Sequence, residues 1–195
     1  RWAYKYDAST KATGLITPTR PGYTFEGWYT NMNGVGTKYT TATAVPYSSI
    51  TLWSNWTLDT YDLIYDLNGG TGADNITYDI TKSIALPTPT RTGYIFGGWK
   101  PSASVGNWDS SKTYTGSLSK MYGSVTLVAQ WTPITYTVEY LSGTGESKSV
   151  SVKYDETVSL IANPFTKQCS EFTGWLLSTD SKIYQPAQEL KNLAD

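Results

Sequence analysis

With 195 residues and a formal charge of -1, from 15 Lys plus Arg against 16 Asp plus Glu, the chain has no excess of either sign. This excludes an electrostatic nucleic-acid binder and gives no support to adhesion on anionic membranes. There is no histidine and one cysteine, Cys169, so the commonest general base and metal ligand is missing and an intrachain disulfide scaffold is excluded, while no apolar run of roughly 18 residues is present for membrane insertion.

One stretch is used repeatedly. Pro18-Thr19-Arg20-Pro21-Gly22-Tyr23-Thr24-Phe25-Glu26-Gly27-Trp28 reappears as Pro89-Thr90-Arg91-Thr92-Gly93-Tyr94-Ile95-Phe96-Gly97-Gly98-Trp99, and an eroded third version ends in Phe172-Thr173-Gly174-Trp175. A period of roughly 70 to 76 residues outweighs the prior from length and predicts three small units, 1–57, 58–132 and 133–195. Units of that size bury only about 60% of the surface of their unfolded chains, so each must lean on aromatic bulk or on a neighbour. Eight Trp and 16 Tyr fit that need.

In chain order, the first unit offers Trp2-Ala3-Tyr4-Lys5-Tyr6-Asp7 as a second strand, the motif at 18–28, and Ser49 to Trp56 as a closing strand. Its opening strand is missing, and the start at Arg1-Trp2 without an initiator Met reads as a piece of a longer chain. In the complete middle unit, Tyr61, Leu63, Tyr65 and Leu67 alternate onto one face of an opening strand. Asn68-Gly69-Gly70-Thr71-Gly72 predicts a hairpin or bulged turn, and Ile76 and Tyr78 resume alternation as a second strand. Ser83 to Leu86 reads as a short strand or a helical turn, followed by a rigid extended connector at Pro87 and Pro89. The run Gly93 to Trp99 predicts a strand bulged at Gly97-Gly98, which brings Phe96 and Trp99 to one side. A polar, turn-rich stretch from Lys100 to Tyr122 contains Trp108, and Val125 to Trp131 closes the unit with Leu127, Ala129 and Trp131 facing one way. The third unit has Tyr136, Val138 and Tyr140 as opening strand, Ser142 to Gly145 as turn, and Val150, Val152 and Tyr154 as second strand, with the closing strand absent. Linkers at 57–60 and 132–135 are short, so adjacent units should touch and flex only modestly.

These residues carry a resemblance. The order Tyr-x-Leu-x-Tyr-Asp-x-Asn-Gly-Gly, then Pro-Thr-Arg-x-Gly-Tyr-x-Phe-x-Gly-Trp, then Thr-Leu-x-Ala-x-Trp is similar to the Listeria-Bacteroides repeat, also called the internalin B repeat. It runs throughout 61–132, recurs at 18–56, and is partial at 136–193, where Cys169 and Ser170 occupy the Gly-Tyr slot. The resemblance implies a mostly β or α+β fold: three tandem small β-grasp-like repeat domains in an elongated array, each a curved mixed sheet on a short helical or irregular crossover. It also implies secreted or cell-wall-attached bacterial proteins, no catalytic activity and no cofactor.

The recurrent residues are assigned to the repeat core, since aromatic side chains bury about 150–250 Å² each. They are Tyr23, Phe25, Gly27, Trp28 and Trp56 in the first unit, Tyr94, Phe96, Gly98, Trp99 and Trp131 in the second, and Phe172, Gly174 and Trp175 in the third. Trp53, Trp108 and Trp2 are not matched by Trp in every copy, and Trp53 points opposite to Leu52 and Trp56; these are the candidate ligand-contact residues, able to stack on a sugar ring if exposed. Glu26, Glu139, Glu156 and Glu171 share no slot, so they do not form the paired carboxylates of a glycosidase. Asp66 to Gly70 with Asp74 lacks the ligand spacing and terminal Glu of an EF-hand and reads as a turn. Cys169 reads as a small, semi-buried residue. No catalytic or metal site is expected.

The sequence therefore points to a non-catalytic tandem repeat region of a secreted or cell-surface bacterial protein, a semi-rigid spacer and adhesion or protein-interaction module. The alternative is a carbohydrate-binding appendage of a surface polysaccharide-processing enzyme. Expected partners are a host or bacterial surface protein or glycan, with strand exchange to another chain invited by open sheet edges; neither nucleic acid nor membrane insertion is expected.

Overall fold

The computed structural model describes residues 14–44 and 48–193. The strand expected at 2–7, Trp2 included, lies outside them. Among the described residues there is no α-helix, and the one helical element is a 3-10 turn at Met32–Gly34. The chain divides into two compact units, Arg1–Asp66 with Ala73–Pro87 and Trp99–Val128, and Leu67–Gly72 with Thr88–Gly98 and Ala129–Asp195.

The first copy of the motif forms β1 (Tyr23–Tyr29), flanked by β2 (Lys38–Tyr39) and β3 (Trp53–Leu58) in an antiparallel sheet ordered β2-β1-β3. The closing strand thus starts at Trp53, later than the expected Ser49, and runs two residues past Trp56. Pairing of β1 with β3 slips between Phe25 and Gly27. Gly27 sits there at φ 137°, a conformation L side chains rarely adopt, so the glycine permits the bulge and the bulge turns Phe25 and Trp28 to one side.

The middle copy comprises β4 (Tyr61–Asp66), β5 (Ile76–Tyr78), β6 (Ser83–Ala85), β7 (Tyr94–Pro101), β8 (Ser117–Ser119) and β9 (Val125–Pro133). Its main sheet is mixed and ordered β5-β4-β9-β7. β4 pairs antiparallel with β5, and parallel with β9 through Leu63↔Val125, Ile64↔Thr126, Tyr65↔Leu127 and Asp66↔Val128. Alternation sets the faces: Leu63 and Tyr65 are buried while Asp62, Ile64 and Asp66 are exposed, and Leu127 and Ala129 of β9 are wholly buried. Between β4 and β5 the chain turns at Leu67–Gly70, with the Gly70 amide donating to the Leu67 carbonyl at 2.9 Å. Asn68 (φ 46°) and Gly69 (φ 86°) are both left-handed, as a type I′ turn requires. Where the resemblance implied a helical or irregular crossover, β6 is a strand paired with β8. Its cause is the period of two that buries Ile84 and Leu86 and exposes Ala85.

The third copy is built from short ladders: β10 (Thr135–Leu141) with β11 (Ser147–Lys153), β12 (Val158–Ser159) with β15 (Glu189–Leu190), and β13 (Trp175–Leu176) with β14 (Ile183–Tyr184), each two-stranded and antiparallel. Tyr140, Val152, Val158 and Leu160 are its buried apolar residues.

Candidate functional site

The motif folds the same way wherever its residues are kept. Arg20-Pro21-Gly22-Tyr23 and Arg91-Thr92-Gly93-Tyr94 each form a tight turn, closed by the Tyr amide donating to the Arg carbonyl at 3.1 Å in both. Gly22 and Gly93 stand at φ 76° and 75°, the third position of a type II turn, which demands positive φ. In each turn the guanidinium lies over the following ring, Arg20 3.6 Å from the Tyr23 centroid and Arg91 3.9 Å from that of Tyr94, a cation-π clasp.

The motif tryptophan is anchored alike in all three copies. Each indole N–H donates to a backbone carbonyl of the connector before the turn: Trp28 to Ile16 and Trp99 to Pro87 at 2.8 Å, Trp175 to Ile161 at 2.9 Å. The extended proline-rich connector leaves those carbonyls without a ladder partner, and the indole satisfies them. Ring pairs complete the kernel, edge-on for Phe25 with Trp28 at 5.6 Å, Phe172 with Trp175 at 4.9 Å and Tyr140 with Trp175 at 4.8 Å, and tilted for Tyr65 with Trp99 at 4.7 Å. Burial pushes the Tyr65 hydroxyl up to about 12, so this ring stays neutral and serves packing.

Two joints link successive copies. At the first, Gly22 backs onto Ile80, so close that a Cβ would lie 2.6 Å from Ile80 Cγ2, and its carbonyl accepts the Asp59 amide at 3.0 Å. At the second, Gly93 backs onto the Tyr154 ring, with a Cβ 2.2 Å from it, and its carbonyl accepts the Ile134 amide at 2.9 Å. Ile80 and Tyr154 occupy one slot, each two residues past the last buried residue of a second strand, Tyr78 and Val152. Asp59 and Ile134 likewise each precede an opening-strand tyrosine, Tyr61 or Tyr136, by two. Polar clips differ: Thr24 Oγ1 donates to Asp59 at 2.6 Å at the first joint, and the Tyr94 hydroxyl to Asp155 at 2.8 Å at the second. The Asn192 amide and then the Tyr94 hydroxyl hold the Asp155 carboxyl below its usual value, while Asp155 holds the Tyr94 hydroxyl up. Sequence reading predicted contact between units from linker length alone; the shared slot of Gly22 and Gly93 was the available signal for where.

The residues singled out from sequence take varied places. Trp99 and Gly98 are buried, and Tyr23, Phe25, Gly27, Trp28, Trp56, Tyr94, Phe96, Trp131, Gly174 and Trp175 are half-buried. Phe172 departs from its core assignment and is 41% exposed. In the other copies the closing-strand indole edges against this phenylalanine, Trp56 on Phe25 at 5.2 Å and Trp131 on Phe96 at 5.4 Å; no strand among the described residues does so for Phe172. Trp108 also departs, since only 2% of it is exposed. Its indole donates to the Tyr78 hydroxyl at 2.8 Å, which donates to the Gly123 carbonyl at 2.6 Å, so it plugs the middle copy and offers no face to a ligand. Trp53 is 43% exposed. Cys169, expected semi-buried, is exposed and left-handed at φ 56°, in the slot of Gly22 and Gly93. No group of three or more His, Cys, Asp or Glu among the described residues could hold a metal ion, and none of their helices is long and apolar enough to cross a membrane.

A bulged aromatic kernel, repeated on small β-sheets and joined through its own turns, defines a β-rich tandem repeat protein. Residues 3–54, 61–130 and 136–191 match the Listeria-Bacteroides repeat domain, and the chain belongs to that family. It is 37% identical to Internalin H of Listeria monocytogenes over 59% of this chain and 20% of that protein. It is 26% identical to a protein of Evansella cellulosilytica named as a Gly-rich membrane protein, over 87% of this chain and 19% of that one. A second membrane protein of the same organism is 24% identical over 86% and 25%. The chain thus spans about a fifth to a quarter of the length of these relatives. No solved structure matches it.

Proposed function

We propose that the chain is a non-catalytic repeat region of a secreted or cell-surface bacterial protein, a semi-rigid spacer that also presents an adhesive, protein-interaction surface. The observation that supports this most is the pair of joints. The same glycine carbonyl and the same turn link first copy to middle and middle to third, although the side chain received changes from Ile80 to Tyr154. A backbone-to-backbone bond plus a packed glycine restrains a linker better than the four residues of 57–60 or of 132–135 would alone. Similarity to Internalin H supports the surface location. The sugar-binding alternative is left with Trp53 as the one exposed tryptophan among the described residues and is the weaker reading.

The test is small-angle scattering on the chain beside Gly22→Val and Gly93→Val. A spacer gives a narrow distribution of dimensions that broadens in each variant. An equally broad distribution in all three sinks the spacer role, and retardation on a polysaccharide gel that Trp53→Ala abolishes would favour the sugar reading.

A further inference from the structure

We infer that Asn33, at the tip of the turn joining β1 to β2, is a site of spontaneous covalent modification, losing its side-chain amide through attack by the Gly34 nitrogen, while Asn68 in the middle copy is protected from the same reaction. The chain contains two Asn-Gly pairs, Asn33-Gly34 and Asn68-Gly69. Glycine in second place favours this chemistry, because no Cβ hinders the approach of its nitrogen and its main chain turns freely. In the first step the glycine nitrogen bonds to the asparagine Cγ and gives up its proton, the Cγ–Nδ2 bond breaks, and ammonia leaves, closing a succinimide ring. Water then adds to one of the two ring carbonyls and opens the ring to aspartate or isoaspartate. Water is the only co-reactant, and nothing is oxidised or reduced.

The two pairs share a backbone and differ in what holds them. Both asparagines are left-handed, Asn33 at φ 59° and Asn68 at φ 46°, and each precedes a left-handed glycine, Gly34 at φ 71° and Gly69 at φ 86°. At ψ 33° the Gly34 nitrogen points away from the Asn33 side chain, as the left-handed conformation requires, so the main chain must rotate before the ring can close. The ease of that local opening sets the rate. Asn68 is tied against it twice: its Nδ2 donates to the Ala129 carbonyl at 3.2 Å, and its own carbonyl accepts from Arg91 Nη1 at 2.9 Å. Its turn is also backed by an indole, since a Cβ on Gly70 would lie 2.5 Å from the Trp131 ring. Asn33 has neither tie. It is exposed, as are Met32 and Val35 beside it, and its amide makes no hydrogen bond among the described residues. The bond that closes its tip, from the Val35 amide to the Met32 carbonyl, is long at 3.3 Å, while the Thr30 amide bonds the Thr37 carbonyl at 3.1 Å behind the tip. The tip can therefore open without the sheet. Conversion places a new negative charge near Asn55, whose Nδ2 would lie 2.8 Å from a Cβ on Gly34, and isoaspartate also lengthens the main chain of the turn. This inference stands whether or not the repeats act as a spacer.

The test incubates the full chain in mildly alkaline buffer and follows the peptides containing residues 33 and 68 by mass and by isoaspartate-specific methylation. In the folded chain the Asn33 peptide should deamidate roughly tenfold or more faster than the Asn68 peptide, since two further bonds must open at Asn68, and the two rates should approach one another in denaturant. Asn33→Gln should remove the acidic form seen on ion exchange. Arg91→Ala frees the Asn68 carbonyl and should speed reaction there, leaving the rate at Asn33 unchanged. Equal rates in the folded chain, faster reaction at Asn68, or an Asn33 peptide still intact when the denatured chain has reacted would each overturn it.

Discussion

The two joints share a backbone and differ in side chains. At each, a left-handed glycine offers its carbonyl to the amide two residues before the first tyrosine of the next copy's opening strand, but Gly22 meets the branched Ile80 and Gly93 meets a planar tyrosine. The lesson is that main-chain geometry is the repeated part of the joint, and the side chain that fills the slot is the part that varies.

The sharpest way to break that comparison is to give each glycine a side chain. Gly93→Val places a Cβ against an aromatic ring at 2.2 Å and holds a branched residue at positive φ, itself costing about 1–3 kcal/mol. We expect it to lower stability in urea melts by about 3 kcal/mol or more, since strain and displaced packing add. Gly22→Val carries the same backbone strain and meets Ile80 Cγ2 at 2.6 Å and its backbone-fixed Cβ at 2.7 Å, so its loss should be smaller only because the side chain it displaces is smaller than a tyrosine ring; equal losses would show that side chains do not distinguish the joints. Next in size is Tyr154→Ala, which removes the edge contact with Tyr94 at 5.7 Å and most of the slot's filling. A loss of about 1–2 kcal/mol is expected for this half-buried aromatic, read in the same melts, against a lesser one for Ile80→Ala.

Smaller effects test the polar clips. Tyr94→Phe removes the bond to Asp155 and should slightly speed exchange of the Tyr154 amide, which donates to Ile134; the first joint, clipped through Thr24, is unaffected. The smallest is acid sensitivity. The Asp155 carboxyl is held below its ordinary value of 3.8, so its contribution is present above that value and is lost as pH falls through the lowered one. Exchange of the Tyr154 amide, corrected for intrinsic rate, should rise in that range, whereas a flat profile would detach Asp155 from the joint.

Much of this was legible in the residues. The glycines before Trp99 read as a bulge, a slip that the pairing of the first copy shows at the equivalent place between Phe25 and Gly27, and alternation placed β4, β5, β9 and β10 to within a residue or two and the start of β11 to within three. Trp108 misled because nothing in its polar neighbourhood reveals Tyr78 and Gly123, residues distant in sequence whose hydrogen bonds make its burial tolerable. Phe172 misled for the opposite reason: its Phe-x-Gly-Trp segment is kept, but its burial depends on a strand that lies elsewhere in the chain in the other copies. Which face a repeated residue uses is local information, whereas how much of it is covered belongs to its partners.

The parallel pairing of β4 with β9 bears on how the middle copy answers a mechanical load. Tension applied through the chain enters at Tyr61 and leaves at Pro133, drawing two side-by-side strands in opposite directions along their length. The paired positions from Leu63↔Val125 to Asp66↔Val128 are then sheared together, where a hairpin pulled from its open end would unzip one rung at a time.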